Sequence, residues 1–352
     1  MILSSKLWNR SILLRQSLTV SRPWPENISE SDRALFSHEL AREIAACWMI
    51  TLGPVQTTLG LIEAGVLSNR VLSLTHPSVG KWAAVSKPLR AAIRNSTRAP
   101  RIHSEGLWIA DKWSHNYFHW VTEALPRLLL ARAGGAEPQL VLPEFLAKSK
   151  FVRESLTLLG ENYEVLGDRF RHKFAKLTLV SPMAPSGNPN PEVIGQLRAR
   201  VRDSLMGPSR EFLPKQDLRL WVSRARSRKR HIENEPALSP LLARFGFTIV
   251  YPEELSFAEQ IEIFSRATVV AGLHGAGLTN IVFMASGGVV LEVRRVGDAH
   301  NNCYFALASA TNQRYGYALA RPLDGNLASG DCFLPELELK RALEGLLEKS
   351  SQ

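Results

Sequence analysis

Val269-Val-Ala-Gly-Leu-His-Gly-Ala-Gly-Leu-Thr-Asn280 reads as a buried β-strand that empties into a glycine turn and then into a helix. A junction of that kind suits a phosphate. Gly275 and Gly277 have no Cβ, so they allow φ > 0 and close approach of a ligand, while the helix N-terminus aims unpaired N–H groups at it. The helix dipole contributes only about 0.3–1 kcal/mol and each charge-assisted hydrogen bond roughly 1.5–3 kcal/mol, so tight binding also requires cationic side chains. Arg224, Arg226, Arg228, Lys229 and Arg230 supply them, five cations within seven residues.

Around this run the alternation is regular. Strands are predicted at Leu218–Val222, Phe247–Tyr251, Thr268–Ala271 and Val289–Val293, with helices near Glu235–Arg244, Phe257–Arg266 and Leu278–Met284. Such spacing implies right-handed βαβ crossovers and a parallel sheet. Ser256 and Glu259 have the spacing of a capping box at the start of a helix. Ligands of open α/β sheets bind outside the carboxyl ends of the strands, where Ser223-Arg224, His274-Gly275 and Glu292 are all expected. A cationic loop alone is as well explained by solvation, but one leaving the same sheet edge as the glycine turn can hold a diphosphate from both sides.

At 352 residues the chain is about twice the usual domain length, and its 45% hydrophobic and 22% charged content is that of a globular protein. Two domains are expected, 1–206 and 207–352, with residues 1–35 forming a peripheral helix or a disordered arm. Leu107–Ala110 and Gln139–Leu142 read as strands, Tyr117–Ala133 and Glu192–Leu205 as helices, and Ser181–Pro191 and Gly207–Lys215 as breaks. The net charge of +10 favours an anionic partner, whether nucleotide phosphates, an acidic membrane surface or nucleic acid, and does not choose among them. Cys47, Cys303 and Cys332 are odd in number and unpaired in spacing, which argues against a disulfide framework or structural zinc and for a reducing, cytosolic setting. No window reaches the roughly 18 apolar residues of a spanning helix. Leu3, Leu7, Leu14 and Leu18 recur at near-helical spacing among Lys6, Arg10 and Arg15, which predicts a basic helix on a membrane surface or packed on the domain.

The chain carries, in order, His115-Asn-Tyr-Phe-His-Trp-Val-Thr-Glu-Ala-Leu-Pro-Arg127, Ser223-Arg224, Arg230, Ile232, Asn234-Glu235, Leu255-Ser256-Phe257, Gln260, His274-Gly-Ala-Gly-Leu-Thr-Asn280 and Glu292. These ordered motifs resemble glycosyltransferase family 61, often met as capsular polysaccharide biosynthesis proteins. The resemblance implies a GT-B architecture, two Rossmann-like domains with parallel sheets facing across a cleft, and inverting sugar transfer from a nucleotide-sugar donor to a glycan or lipid-linked glycan acceptor. It implies no cofactor and no metal, in keeping with the absence of an Asp-x-Asp motif after a strand. Arg224, Arg230 and the amides of Gly275, Ala276 and Gly277 are then expected to neutralise the leaving diphosphate. Inversion needs one general base, for which His119 and Glu123, four apart on a helix, are the candidates; either could serve and one could orient the other. His274 is expected near the phosphates or the sugar, Asn280 as a brace of the turn, Glu292 on the ribose hydroxyls or paired with Arg294 or Arg295, and Asn234 as a ligand contact or a helix cap. Trp108, Trp113, Tyr117 and Trp120 read as core aromatics or sugar-stacking platforms.

Other readings are less well supported. An esterase oxyanion loop requires a Gly-x-Ser-x-Gly elbow, which is missing, and Gly272, Gly275 and Gly277 lack Gly-x-Gly-x-x-Gly spacing. No basic-aromatic motif supports nucleic-acid binding. A non-catalytic binding subunit that keeps the same fold is the remaining alternative.

Overall fold

The computed structural model describes residues 11–58, 61–63, 98–182, 186–207, 218–324 and 330–348. It divides into two compact units, Met1–Leu18 with Glu43–Ser186, and Thr19–Arg42 with Gly187–Gln352. Leu3, Leu7 and the expected break at 208–215 lie outside the described residues.

In the C-terminal unit the predicted alternation yields a six-stranded sheet in the order Phe247–Val250, Arg219–Val222, Val269–Leu273, Val289–Arg295, Arg314–Pro322, Cys332–Phe333. All neighbours are parallel except the last pair. Numbered along the chain, the parallel strands run 2-1-3-4-5, a doubly wound order whose switch point falls between Arg219–Val222 and Val269–Leu273. Side chains alternate across a strand, so Trp221, Ala271, Leu273, Leu291 and Val293 join one core with the helices Glu235–Arg244 and Glu336–Leu347. The intervening residues, Glu292 among them, face the other side. Ser256 caps Phe257–Ser265 as expected, its hydroxyl accepting from Glu259 N–H while the Glu259 carboxylate accepts from Ser256 N–H.

Thr19–Arg42 joins this unit through contacts distant in sequence. Phe36 is fully buried among Phe305, Tyr315 and Tyr317, with ring centroids 5.1–6.1 Å away. Glu26 pairs with Arg314 at 2.6 Å, and Arg22 donates to Asn188 at 2.8 Å.

The N-terminal unit holds an eight-stranded mixed sheet rather than the all-parallel one expected. Arg171–Val180 is its hinge in topology: Pro100–Trp108 pairs with it in parallel on one side, whereas Cys47–Leu52 and Val55–Thr58 pair antiparallel on the other. Ser11–Arg15 is a strand on Cys47–Leu52, and Leu18–Ser21 is also a strand, so neither belongs to the expected N-terminal helix. The sheet partner supplied by Cys47–Leu52 outweighs the helical spacing of a few leucines.

Candidate functional site

The switch point of the C-terminal sheet brings together the two segments singled out in the sequence. Arg219–Val222 ends at Ser223, whose hydroxyl donates to the buried Glu235 carboxylate and accepts from Ala225 N–H at 3.1 Å. Burial raises the Glu235 carboxyl above its ordinary value, against the hydrogen bond from Ser223. This pins the start of the basic loop. Arg224 then folds back on its own loop, donating from Nε to the Arg230 carbonyl at 2.9 Å and from Nη2 to that of Lys229 at 2.8 Å. Arg230 closes the loop at φ 64°, a left-handed conformation uncommon outside glycine.

The guanidinium lies directly against the glycine turn. A Cβ added to Gly275 would stand 2.1 Å from Arg224 Nη1, and one on Gly277 would stand 2.8 Å from Val222 Cγ1. Neither glycine is in the left-handed region; Gly275 has φ 173°, which any residue adopts. The expectation of φ > 0 is therefore replaced by one of space, with Gly275 making room for a cation. Burial and the charge of Arg230 push Arg224 down to about 10, so the cation is held at a cost that an anion would relieve. Arg226 is drawn elsewhere, paired with Glu254 and set 4.0 Å over the Tyr251 ring, while Arg228 and Lys229 are exposed.

Ala276–Phe283, the segment after the turn, is a 3-10 helix rather than an α-helix. Asn280 is buried beneath it and donates to Gln260 Oε1 at 2.7 Å and to the Gly277 carbonyl at 3.1 Å, so it braces the turn. His274 approaches Glu292 Oε1 with Nδ1 at 2.5 Å, and its ring meets Tyr304 edge-on at 4.9 Å. Glu292 stands inside Val289–Arg295 rather than at a strand end and is fully buried. Its other oxygen accepts from Tyr315 OH at 2.5 Å, with Arg294 at 3.5 Å, so the vicinal-diol role gives way to an internal one. Asn234 likewise turns inward: its amide clamps the backbone of Leu334, donating at 2.8 Å and accepting at 3.0 Å. It makes no side-chain cap.

A second constellation lies in the N-terminal unit. Asn116 caps Tyr117–His119 by accepting from Phe118 N–H at 2.9 Å, and the helix then widens into a π turn over Trp120–Ala124 before Leu125–Ala133. Pro126 accounts for the widening, because it has no N–H and its ring crowds the carbonyl four residues back. His119 Nδ1 and Glu123 Oε1 are 3.0 Å apart, so the pair expected on one helix face is formed. Ser186 donates to the same Glu123 oxygen at 2.7 Å and lies 3.0 Å from His119 Nδ1. Arg127 Nη2 sits 3.9 Å from the other Glu123 oxygen and 2.7 Å from Asp111, both partners of this last pair being buried. Burial opposes ionisation of Asp111, but Arg127 and hydrogen bonds from Trp113 and Ser114 outweigh it and hold the carboxyl below its ordinary value. Trp113 stacks on the His119 ring at 5.7 Å, whereas Trp108, Tyr117 and Trp120 are core.

Sequence reasoning missed Ser186, Asp111 and Tyr315, whereas the pairing of Glu292 with Arg294 was one of its two readings. Arg127 closes the quoted helix motif and was a signal of sorts; Ser186 sits in a Pro- and Gly-rich loop that offered none.

Residues 117–291 match the family model described as Glycosyltransferase 61. Similar curated proteins are all named EGF domain-specific O-linked N-acetylglucosamine transferase. The Drosophila melanogaster protein is 32% identical over 105 residues, 29% of this chain and 20% of the relative. That of Gallus gallus is 36% identical over 63 residues, 18% and 11% of the two chains, and that of Xenopus laevis 38% over 61 residues, 17% and 11%. The chain thus spans a fifth or less of these relatives' lengths. The family match contains both constellations, the histidine–glutamate helix and the turn that Arg224 packs against, and the chain belongs to the glycosyltransferase 61 family.

Proposed function

We propose that this chain is a metal-independent, inverting glycosyltransferase that moves a sugar from a nucleotide diphosphate sugar to a glycan acceptor in capsule, exopolysaccharide or lipopolysaccharide synthesis. The reading includes a cytosolic location, peripheral to an anionic membrane and a lipid-linked acceptor. It also includes a GT-B division of labour, with the donor bound by the C-terminal unit and the base supplied by the N-terminal one. The observation that carries it is the Arg224 guanidinium lodged against Gly275 at the sheet's switch point, where a dinucleotide-type ligand is expected. In the reaction, the acceptor oxygen attacks the anomeric carbon as the His119–Glu123 pair takes its proton, and the diphosphate leaves toward Arg224 and the turn amides.

A second reading rests on the names of the relatives, which specify transfer of N-acetylglucosamine to EGF domains. Here the acceptor would be a protein hydroxyl. A non-catalytic binding subunit is the third. Thermal-shift screening of nucleotide sugars in chelator tests the common core of the first two, since a ligand at 100 times its Kd adds about 2.7 kcal/mol of stability. A stabilising donor that is slowly hydrolysed supports an enzyme, one that stays intact supports a binder, and no stabilisation by any of them overturns the donor site. Offering glycan and EGF-domain acceptors with that donor then separates the two transfer reactions.

A further inference from the structure

Glu292 is a carboxylate with no access to solvent, a costly arrangement unless every oxygen is paired. Burial opposes its ionisation, but the charges of Arg294 and His274 and the hydrogen bonds of His274 and Tyr315 outweigh this and hold it below the ordinary carboxylate range. Arg294 is itself fixed from behind, donating to the carbonyls of Asp298 at 2.8 Å and Asn301 at 3.1 Å and lying 5.0 Å from the Phe36 ring. So much buried apparatus ends on one imidazole. His274 has Nδ1 on Glu292, its side chain is 13% exposed, and its Nε2 takes no partner among the described residues. The next residue is Gly275, against which Arg224 packs.

Resting on the donor-site reading above, we propose that His274 is the acid on the donor side, and that Glu292, Tyr315 and Arg294 are positioning residues that keep its Nε2–H aimed at the departing phosphate oxygen. As the bond from the anomeric carbon to the diphosphate oxygen breaks, its electron pair goes to that oxygen. The imidazolium passes its Nε2 proton there and remains as the neutral ring with Nδ1–H on an unchanged Glu292 carboxylate. The His119–Glu123 pair collects one proton from the acceptor, so one is given and one is taken. The titratable groups facing His274 are Glu292 from its strand, Tyr304 from the helix Cys303–Ala310 and Asp298, whose carboxyl feels the His274 charge; Arg294 stands behind Glu292.

The test is calorimetric titration of the full chain with inorganic pyrophosphate, across pH 6–8, in two buffers of different ionisation enthalpy. Wild type is expected to bind with net proton uptake. His274→Gln should lose the uptake and weaken binding about tenfold or more, the loss of one charge-assisted hydrogen bond. Glu292→Gln should alter the uptake, because Nδ1 then faces an amide that carries no negative charge. Tyr315→Phe removes a single oxygen and keeps the packing, and it should displace the uptake curve with binding retained. Uptake that is unchanged in His274→Gln, or indifferent to both Glu292→Gln and Tyr315→Phe, overturns the inference while leaving the donor site intact. Pyrophosphate that fails to bind wild type, or binds Arg224→Ala equally well, overturns the donor-site reading and this inference with it.

Discussion

His119–Glu123 and His274–Glu292 are both imidazole–carboxylate pairs, yet they are assembled in opposite ways. The first joins residues four apart on one widened helix, with side chains 20% and 17% exposed and a loop serine sharing the contact. The second joins a turn to the middle of a strand, and its carboxylate is 0% exposed, held by a tyrosine and an arginine. Water reaching the first pair can stabilise a carboxylate or discharge a proton during turnover. The second pair has a fixed charge whose cost of burial is offset by neighbours that do not change. A carboxylate that takes and releases protons suits the wetter setting, and one that stays charged while it orients its histidine suits the drier one.

The largest effect is expected at the first pair. Glu123→Gln and His119→Ala should each lower transfer about 10²- to 10⁴-fold, the usual contribution of general base catalysis, with donor affinity kept. Equal loss of donor affinity in a binding titration would erase the distinction between the pairs. Next comes the support of that pair. Asp111→Asn leaves Arg127 buried without its carboxylate and should destabilise the protein by about 3–5 kcal/mol in urea unfolding. Because the folded Asp111 carboxyl lies below its unfolded value near 3.9, its contribution is present above that pH and lost as pH falls through the folded value. An acid limb that persists unchanged in the Asn variant contradicts this.

Arg224→Ala should weaken the donor roughly 10- to 150-fold without moving the pH profile of the base, as measured by separate kcat and KM determinations. Gly275→Ala should have the same sign, since its methyl would occupy the place of the guanidinium. If the alanine is silent, the turn glycine is not there to admit Arg224. The smallest effect serves as a local yardstick: Ser256→Ala removes half of a capping box and should cost about 1 kcal/mol in thermal unfolding, with both pairs unaffected.

What was legible in the chain was local. The Ser256–Glu259 box, the helix Glu235–Arg244 and the strand before the glycine turn follow from periodicity and capping over a few residues, and the parallel C-terminal sheet follows from their alternation. The convergence of Arg224 and Gly275 was also legible, because strand ends of such a sheet share one rim. Contacts that cross the sheet were not. That Glu292 faces inward toward Tyr315 depends on the length of Val289–Arg295, which runs two residues past the predicted end. The φ > 0 assigned to Gly275 failed because a glycine can be needed for a neighbour's volume as easily as for its own dihedral. The mixed N-terminal sheet was hidden because Ser11–Arg15 carries no clean two-residue alternation and becomes a strand only through its partner.

The Phe36 socket has a consequence for biosynthesis. Phe36 leaves the ribosome about 280 residues before Tyr317, the last of Phe305, Tyr315 and Tyr317, completes its surroundings, which at roughly 5–20 residues per second is a wait on the order of 14 to 56 s. Until then an aromatic side chain meant for the interior is on view, and the sheet that receives it is unfinished. The segment Gly187–Gln352 expressed by itself would have a socket that is never filled, so it should yield aggregate rather than a free-standing C-terminal domain.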